Sequence, residues 1–264
     1  MNADFAANEL IRCYIDSPHP SYKVSHYFQI YAELFAHLRG TECTFIEAGV
    51  LNGGSLFMWR DWLGEKARII GVDLNPEAKR WESDGFEIYI GDQGDPNFWQ
   101  DVYAKVGRFD ALLDDGGHQS FQQIVTLTEA LKAAQGPCVI AIEDTITSFM
   151  SEFAAHRQHS FLAYAKASTD VLLAKTAHFY PKDFPTIRSP DIVAQFSSVY
   201  AVNFYTGMVA YRVNPALTQT PNLIWNRPPA DAASDFRYAG TDSARVQWPD
   251  PFTDQSVLVA GGVR

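Results

Sequence analysis

Two short stretches of the chain end abruptly in adjacent carboxylates. Phe109 to His118 reads F-D-A-L-L-D-D-G-G-H: an apolar run closed by Asp114 and Asp115, a glycine pair, and His118 three positions after the second acid. Pro137 to Asp144 reads P-C-V-I-A-I-E-D and closes on Glu143 and Asp144. Carboxylate oxygens are hard ligands that suit magnesium or a similar divalent ion, and a histidine beside them is placed to move a proton. If both runs are strands of one parallel sheet, their carboxyl ends share a mouth where open α/β sheets bind ligands.

The elements needed to position these residues can be read from periodicity. A helical pattern around Ala6 to Tyr14 is closed by the S-P-H-P turn at Ser17 to Pro20. Tyr27, Ile30, Tyr31, Leu34, Phe35 and Leu38 then recur at helical spacing up to Gly40. Strands are expected at Thr44 to Val50, Arg68 to Leu74 and Phe86 to Asp92, followed by the two acid-tipped runs, with helices at Leu56 to Leu63 and Phe121 to Ala134. This alternation predicts a Rossmann-like α/β fold with a mainly parallel sheet and helices on both faces. Ser198 to Tyr205, Thr206-Gly207 and Met208 to Val213 read as a hairpin that adds antiparallel strands at the sheet edge.

Between the last acid pair and the hairpin, Ser148 to Lys166 and Asp170 to Ala174 look helical. Phe179 to Pro190, with Phe179, Tyr180 and Phe184, is rich in aromatics and proline. Residues 145–197 are therefore expected to form a lid on a domain spanning 1–214, with 215–264 an extended tail that packs on the domain or on a partner subunit.

The loop after the first strand, G-V-L-N-G-G-S from Gly49, opens a helix. Its glycines allow a tight turn and close approach of a ligand to the free N–H groups at the helix start. Its spacing is not the G-x-G-x-x-G of dinucleotide binding, which points to another nucleoside ligand. Asp73, at the end of the second strand, is placed to accept hydrogen bonds from a ribose diol.

Composition narrows the class. With 47% apolar and 20% charged residues, the chain has the make-up of a soluble globular protein. A net charge of -10 without a basic cluster argues against nucleic acid. No apolar run approaches the length of a membrane span, and the first residues lack a signal-peptide pattern. Cys13, Cys43 and Cys138 are widely spaced and fit no zinc pattern, so they read as reduced thiols of a cytoplasmic protein.

On these residues the chain resembles class I S-adenosylmethionine-dependent methyltransferases, and among them the metal-dependent sugar O-methyltransferases of the mycinamicin, tylosin and rhamnosyl antibiotic pathways. The likeness is carried by S-H-Y-F-Q-I-Y from Ser25, F-I-E-A-G-V-L-N-G-G-S-L from Phe45, G-V-D-L from Gly71 and G-D-Q from Gly91. D-D-G-G-H from Asp114, I-E-D from Ile142 and N-F-Y-T-G-M-V from Asn203 complete it. The resemblance implies Asp115, Glu143 and Asp144 as magnesium ligands and His118 as general base. The family motif usually reads D-D-G-S-H, and Gly117 departs from it here. For S-adenosylmethionine the implied contacts are Glu47, Gly49, Asn52, Gly53 and Ser55 at the methionine part and Asp73 at the ribose. Asp92 and Gln93 are implied at the adenine, and Asp114 near the sulfonium. The implied partner is a small-molecule glycosylated acceptor, and a homo-oligomer is expected.

Each feature has a plainer reading. Acids at strand-to-helix turns are often helix caps, a lone histidine is usually structural, and a glycine loop can be only a tight turn. A phenolic or catechol-like acceptor is an alternative to a sugar. An iron oxygenase would need two histidines with one carboxylate, and only His118 stands near the acids. A nucleoside-binding protein without catalysis is the remaining alternative.

Overall fold

The computed structural model describes residues 3–154, 156–174 and 190–217, which fall within one compact unit, Met1–Pro221. Seven strands form one sheet: β1 (Thr44–Ala48), β2 (Arg68–Asp73), β3 (Glu87–Ile90), β4 (Ala111–Asp114), β5 (Cys138–Ile142), β6 (Val199–Tyr205) and β7 (Met208–Val213). Their order is β3-β2-β1-β4-β5-β7-β6. The first five are parallel, and β7 runs antiparallel to both β5 and β6. This is the expected Rossmann-like α/β architecture, with the hairpin at the sheet edge. The hairpin turns at Gly207, whose φ of 80° is one that glycine adopts without steric cost.

Helices α1 (Ala3–Asp16), α2 (Tyr27–Phe35) and α3 (Gly54–Leu63) cover one face. There Leu10, Tyr31, Phe35 and Trp59 bury against Phe45, Leu113 and Ala141 of the sheet. The other face packs α4 (Pro96–Val106), α5 (Ser120–Ala133) and α6 (Phe161–Ala174) through Trp99, Leu127 and Phe161 onto Ile46, Leu112 and Ile140. Alternate residues of each central strand thus serve opposite cores, and the acid-tipped runs are apolar throughout because both of their faces are covered.

Two segments depart from the periodicity reading. α4 was not singled out by spacing; it is started by Asp95, whose side chain caps the N–H of Asn97, with Pro96 in the first turn. The helix expected from Ser148 is instead broken into 3-10 turns at Thr145–Phe149 and Arg157–His159 before α6. Thr147 Oγ1 donates to the Asp144 carbonyl three residues back at 2.8 Å, a local bond that competes with helix, and Ser148 Oγ accepts from the N–H of Leu162 at the start of α6 at 3.1 Å. α7 (Pro190–Gln195) leads into β6. The aromatics Phe179, Tyr180 and Phe184, and the expected tail beyond Leu217, lie outside the described residues. No helix among the described residues is long and apolar enough to cross a membrane.

Candidate active site

The parallel register brings the carboxyl ends of β1, β2, β4 and β5 to one edge, with Ala48 beside Asp114 and Asp114 beside Ile142. Strand order reverses here, since β1 is followed by β2 on one side and flanked by β4 on the other. Such a switch point opens a crevice. A cleft of about 620 Å³ lies there, a size that accommodates a nucleoside-sized ligand.

Among the described residues, three non-glycine residues adopt left-handed backbone, Leu51 (φ 48°), His118 (φ 57°) and Asp144 (φ 51°), and all three line this cleft. Each such residue costs on the order of 1–2 kcal/mol and persists only where its surroundings impose it. For two of them the clamp is visible: Thr147 Oγ1 lies 3.1 Å from the His118 carbonyl and 2.8 Å from that of Asp144. The result is a cluster in which one ligand atom each of Asp115, His118 and Asp144 lie within 4.8 Å of one another. His118 Nε2 stands 3.5 Å from Asp144 Oδ2 and 4.0 Å from Asp115 Oδ1. Glu143 is buried beside them and lines the same cleft.

A cation that sequence reading did not select sits among the acids, and Lys23 and Tyr27 line the same cleft. Lys23 Nζ is 2.5 Å from Asp115 Oδ2, 3.4 Å from Glu47 Oε1 and 3.5 Å from Glu143 Oε1, and its side chain is 2% exposed. Burial pushes the Lys23 pKa down, but Asp115, Glu143 and Glu47 outweigh it and hold the ammonium well above its usual range. Burial, reinforced by the Asp115 charge, pushes Glu143 well up despite Lys23. Burial also raises Glu47 and Asp114. Tyr27 donates to Asp144 Oδ1 at 2.8 Å, and Tyr31 donates to Glu143 Oε1. The signal in the sequence was the spacing of Lys23, Tyr27 and Tyr31, one helical turn apart; the aromatic pair also suits core packing, which hid it.

The expected cofactor residues divide by depth. Gly49, Asn52, Ser55, Asp73 and Gln93 line the cleft. Gly49 takes φ 94°, and a Cβ there would collide with the Asp115 backbone carbonyl. Asp73 accepts from the N–H groups of Val50 (2.8 Å), Leu51 (3.0 Å) and Asn75 (2.8 Å), so it shapes the glycine loop as well as facing the cleft. Glu47, Gly53 and Asp114 lie behind the wall. Glu47 accepts from Ser55 Oγ (2.6 Å) and Trp59 Nε1 (3.1 Å), and Gly53 packs under the Trp81 ring. Asp114 Oδ1 accepts from Gln93 Nε2 at 2.8 Å, while its Oδ2 is buried without a partner. Asp92 is exposed and accepts from the Gly94 N–H at 2.7 Å. Exposed Leu51 and Leu74, which spacing had not marked, add apolar surface to the cleft. At Gly117 an added Cβ would meet only the far end of the flexible Gln122 side chain, so a small side chain there requires Gln122 to swing aside.

The residues fit a hard divalent cation. The donors are carboxylate oxygens and one imidazole nitrogen, without thiolate. With Glu143 and Glu47 pushed toward their neutral forms by burial, Lys23 still offsets only one of the two charges of Asp115 and Asp144, which leaves the site a net negative field.

No protein-family model matches the chain. It is 27% identical over 195 residues to the 8-demethyl-8-(2-methoxy-alpha-L-rhamnosyl)-tetracenomycin-C 3'-O-methyltransferase of Streptomyces olivaceus, covering 69% of this chain and 48% of that protein. It is 29% identical over 155 residues to the demethylmacrocin O-methyltransferase of Streptomyces fradiae, covering 55% and 38%. The chain thus spans about half the length, or less, of these curated relatives. Among solved structures it is similar to the MycE methyltransferase of the mycinamycin pathway bound to Mg, SAH and mycinamycin VI, with a TM-score of 0.65, 20% identity, and 84% of this chain and 57% of that one covered. A second crystal form of MycE with Mg and SAH gives a TM-score of 0.67 at 20% identity, covering 98% and 60%.

Proposed function

We propose that this chain, whose fold and curated relatives are those of sugar O-methyltransferases, transfers a methyl group from S-adenosylmethionine to a hydroxyl of a sugar on a natural product, with a divalent ion such as Mg2+ at the acid cluster. The observation that carries this reading is the convergence of Asp115, His118 and Asp144, with Glu143 beside them, at the mouth of a nucleoside-sized cleft.

Asp115, Glu143 and Asp144 would hold the metal, which, when bound, supplies positive charge to stabilise the oxygen that develops on the acceptor. His118 faces the same point through Nε2 and takes the hydroxyl proton as the oxygen attacks the methyl carbon. The electron pair of the breaking S–C bond leaves with sulfur. General base catalysis of this kind is worth about 10² to 10⁴. Glu47 and Asp114 support the glycine loop and the β4 tip from behind. Asp73 and Gln93 stand on the cleft wall, where a ribose and an adenine would meet them, and Gly49, Asn52 and Ser55 line the methionine end. Asp92, exposed beyond Gln93, accepts from the Gly94 N–H and from Gln122 Nε2.

The test pairs calorimetry with turnover. S-adenosylhomocysteine should bind to the purified chain, and methyl transfer to a rhamnosylated or macrolide glycoside should require Mg2+ and stop in excess EDTA. Undiminished turnover in chelator would remove the metal from the proposal. Preference for a catechol over every glycoside tried would replace the sugar acceptor by a phenolic one.

A further inference from the structure

Among the described residues, the carboxylates at the acid cluster are each gripped at one oxygen, by Lys23 and Tyr27 on the cleft wall and by Tyr31 beneath it. Lys23 Nζ takes Oδ2 of Asp115 at 2.5 Å, and Oδ1 of the same group faces His118 at 4.0 Å. Tyr27 takes Oδ1 of Asp144 at 2.8 Å, and Oδ2 faces His118 at 3.5 Å. Tyr31 takes Oε1 of Glu143, and among the described residues no hydrogen bond engages Oε2. The three donors fall at positions 23, 27 and 31, one turn apart, with the two tyrosines on α2 and Lys23 just ahead of it.

This segment is rigidly set. Tyr31 is fully buried and meets Phe35 and Trp59 edge-on or stacked, at centroid distances of 6.5 and 5.1 Å. Tyr27 is 2% exposed, and its hydroxyl also lies 3.0 Å from the Gly207 carbonyl in the hairpin turn. The N–H of Tyr27 bonds the Val24 carbonyl at 3.0 Å, which ties the Lys23 stretch to the helix start. A carboxylate held at one oxygen cannot rotate freely, so its second oxygen presents a fixed direction. Donors behind metal ligands set ligand orientation in this way.

We infer that Lys23, Tyr27 and Tyr31 are positioning residues that fix which oxygens of Asp115, Asp144 and Glu143 face the divalent ion. The inference rests on the metal reading of the preceding section and assigns the helix α2 face a role in it. Neither the acid motifs nor the glycine loop contains these residues, and none of them contacts the transferred methyl in this assignment.

The experiment measures Mn2+ binding by electron paramagnetic resonance on the full chain saturated with S-adenosylhomocysteine, and the affinity for S-adenosylhomocysteine separately by calorimetry. Tyr27→Phe and Tyr31→Phe remove a single hydroxyl each and should each weaken Mn2+ binding about 10- to 100-fold, with S-adenosylhomocysteine affinity within about twofold of the parent chain. Tyr205→Phe, which removes a remote phenol bonded to Glu33, should leave both unchanged. Mn2+ affinities within about threefold of the parent in the Phe variants would overturn the inference while leaving the metal site standing. A parallel loss of S-adenosylhomocysteine binding would also overturn it, since that is the mark of a structural defect. Absence of Mn2+ binding by the parent chain would sink the metal reading and this inference with it. If Tyr31→Phe does not fold, Tyr27→Phe decides alone.

Discussion

His118, Glu143 and Lys23 carry distinct burdens, which single substitutions should separate. His118→Ala removes the proposed base while leaving the acids in place, so turnover should fall by at least about 10² with S-adenosylhomocysteine affinity retained. Mn2+ binding distinguishes base from ligand: retained binding fits the base, and binding lost together with turnover would move His118 into the metal's ligand set. Glu143 is a buried acid whose folded pKa is raised. Such a group favours the fold most when protonated, and its contribution is lost as pH rises from the unfolded value near 4.3 through the folded one. Glu143→Gln should therefore raise the melting temperature of EDTA-treated protein at pH 8 while abolishing the increase that Mg2+ produces. A lower melting temperature in EDTA would show that the charge is fully compensated by Lys23. Lys23→Met withdraws the one cation among Asp115, Glu143 and Glu47, and breaking a buried pair in this way costs about 3–5 kcal/mol. Urea denaturation in EDTA reads that loss directly.

The glycine loop can be tested as an element, because two glycines separate backbone strain from crowding. Gly49 and Gly85 have similar positive φ, 94° and 88°, but an added Cβ meets the Asp115 carbonyl at Gly49 and nothing within 4 Å at Gly85. Gly85→Ala should cost about 1 kcal/mol, from the left-handed backbone alone. Gly49→Ala should cost more, and should also weaken S-adenosylhomocysteine binding, because the β1 loop must shift away from the β4 tip. Equal costs in urea titrations would mean that the two loops give way easily. This close approach of β1 and β4 is a property of strand pairing, and it explains why one glycine in the loop tolerates no side chain.

For the molecule as a whole, ligand binding and folding are linked. A ligand present at about 100 times its dissociation constant stabilises the fold by about 2.7 kcal/mol, so S-adenosylhomocysteine and Mg2+ should each raise the melting temperature. The metal must meet Glu143 deprotonated, so Mn2+ affinity should increase with pH until that group ionises and level off above. A profile flat over the whole pH range in which the fold persists would place Glu143 outside the ligand set. The sheet and the hairpin were legible in the chain, since strand ends, glycine turns and apolar runs are local patterns. The 3-10 turns between Asp144 and α6 were not, because the Thr147 hydroxyl bond to nearby backbone competes there with a helical spacing that looks adequate.

By itself, the sequence determined the succession of the strands, the acids at two strand tips, the glycine loop and the kinship these imply, because each is written in neighbouring residues and their period. What only the tertiary structure decided is depth and grip. Glu47 and Asp114 are behind the cleft wall while Asp73 and Gln93 are on it, Asp144 and His118 are held in left-handed backbone, and Tyr27 and Tyr31 of α2, with Lys23 ahead of it, reach across to the acids. These pairings join residues about 90 to 120 positions apart in the chain. No local pattern specifies them, since they arise only when helix α2 packs against the sheet and the carboxyl ends of β4 and β5 are brought side by side.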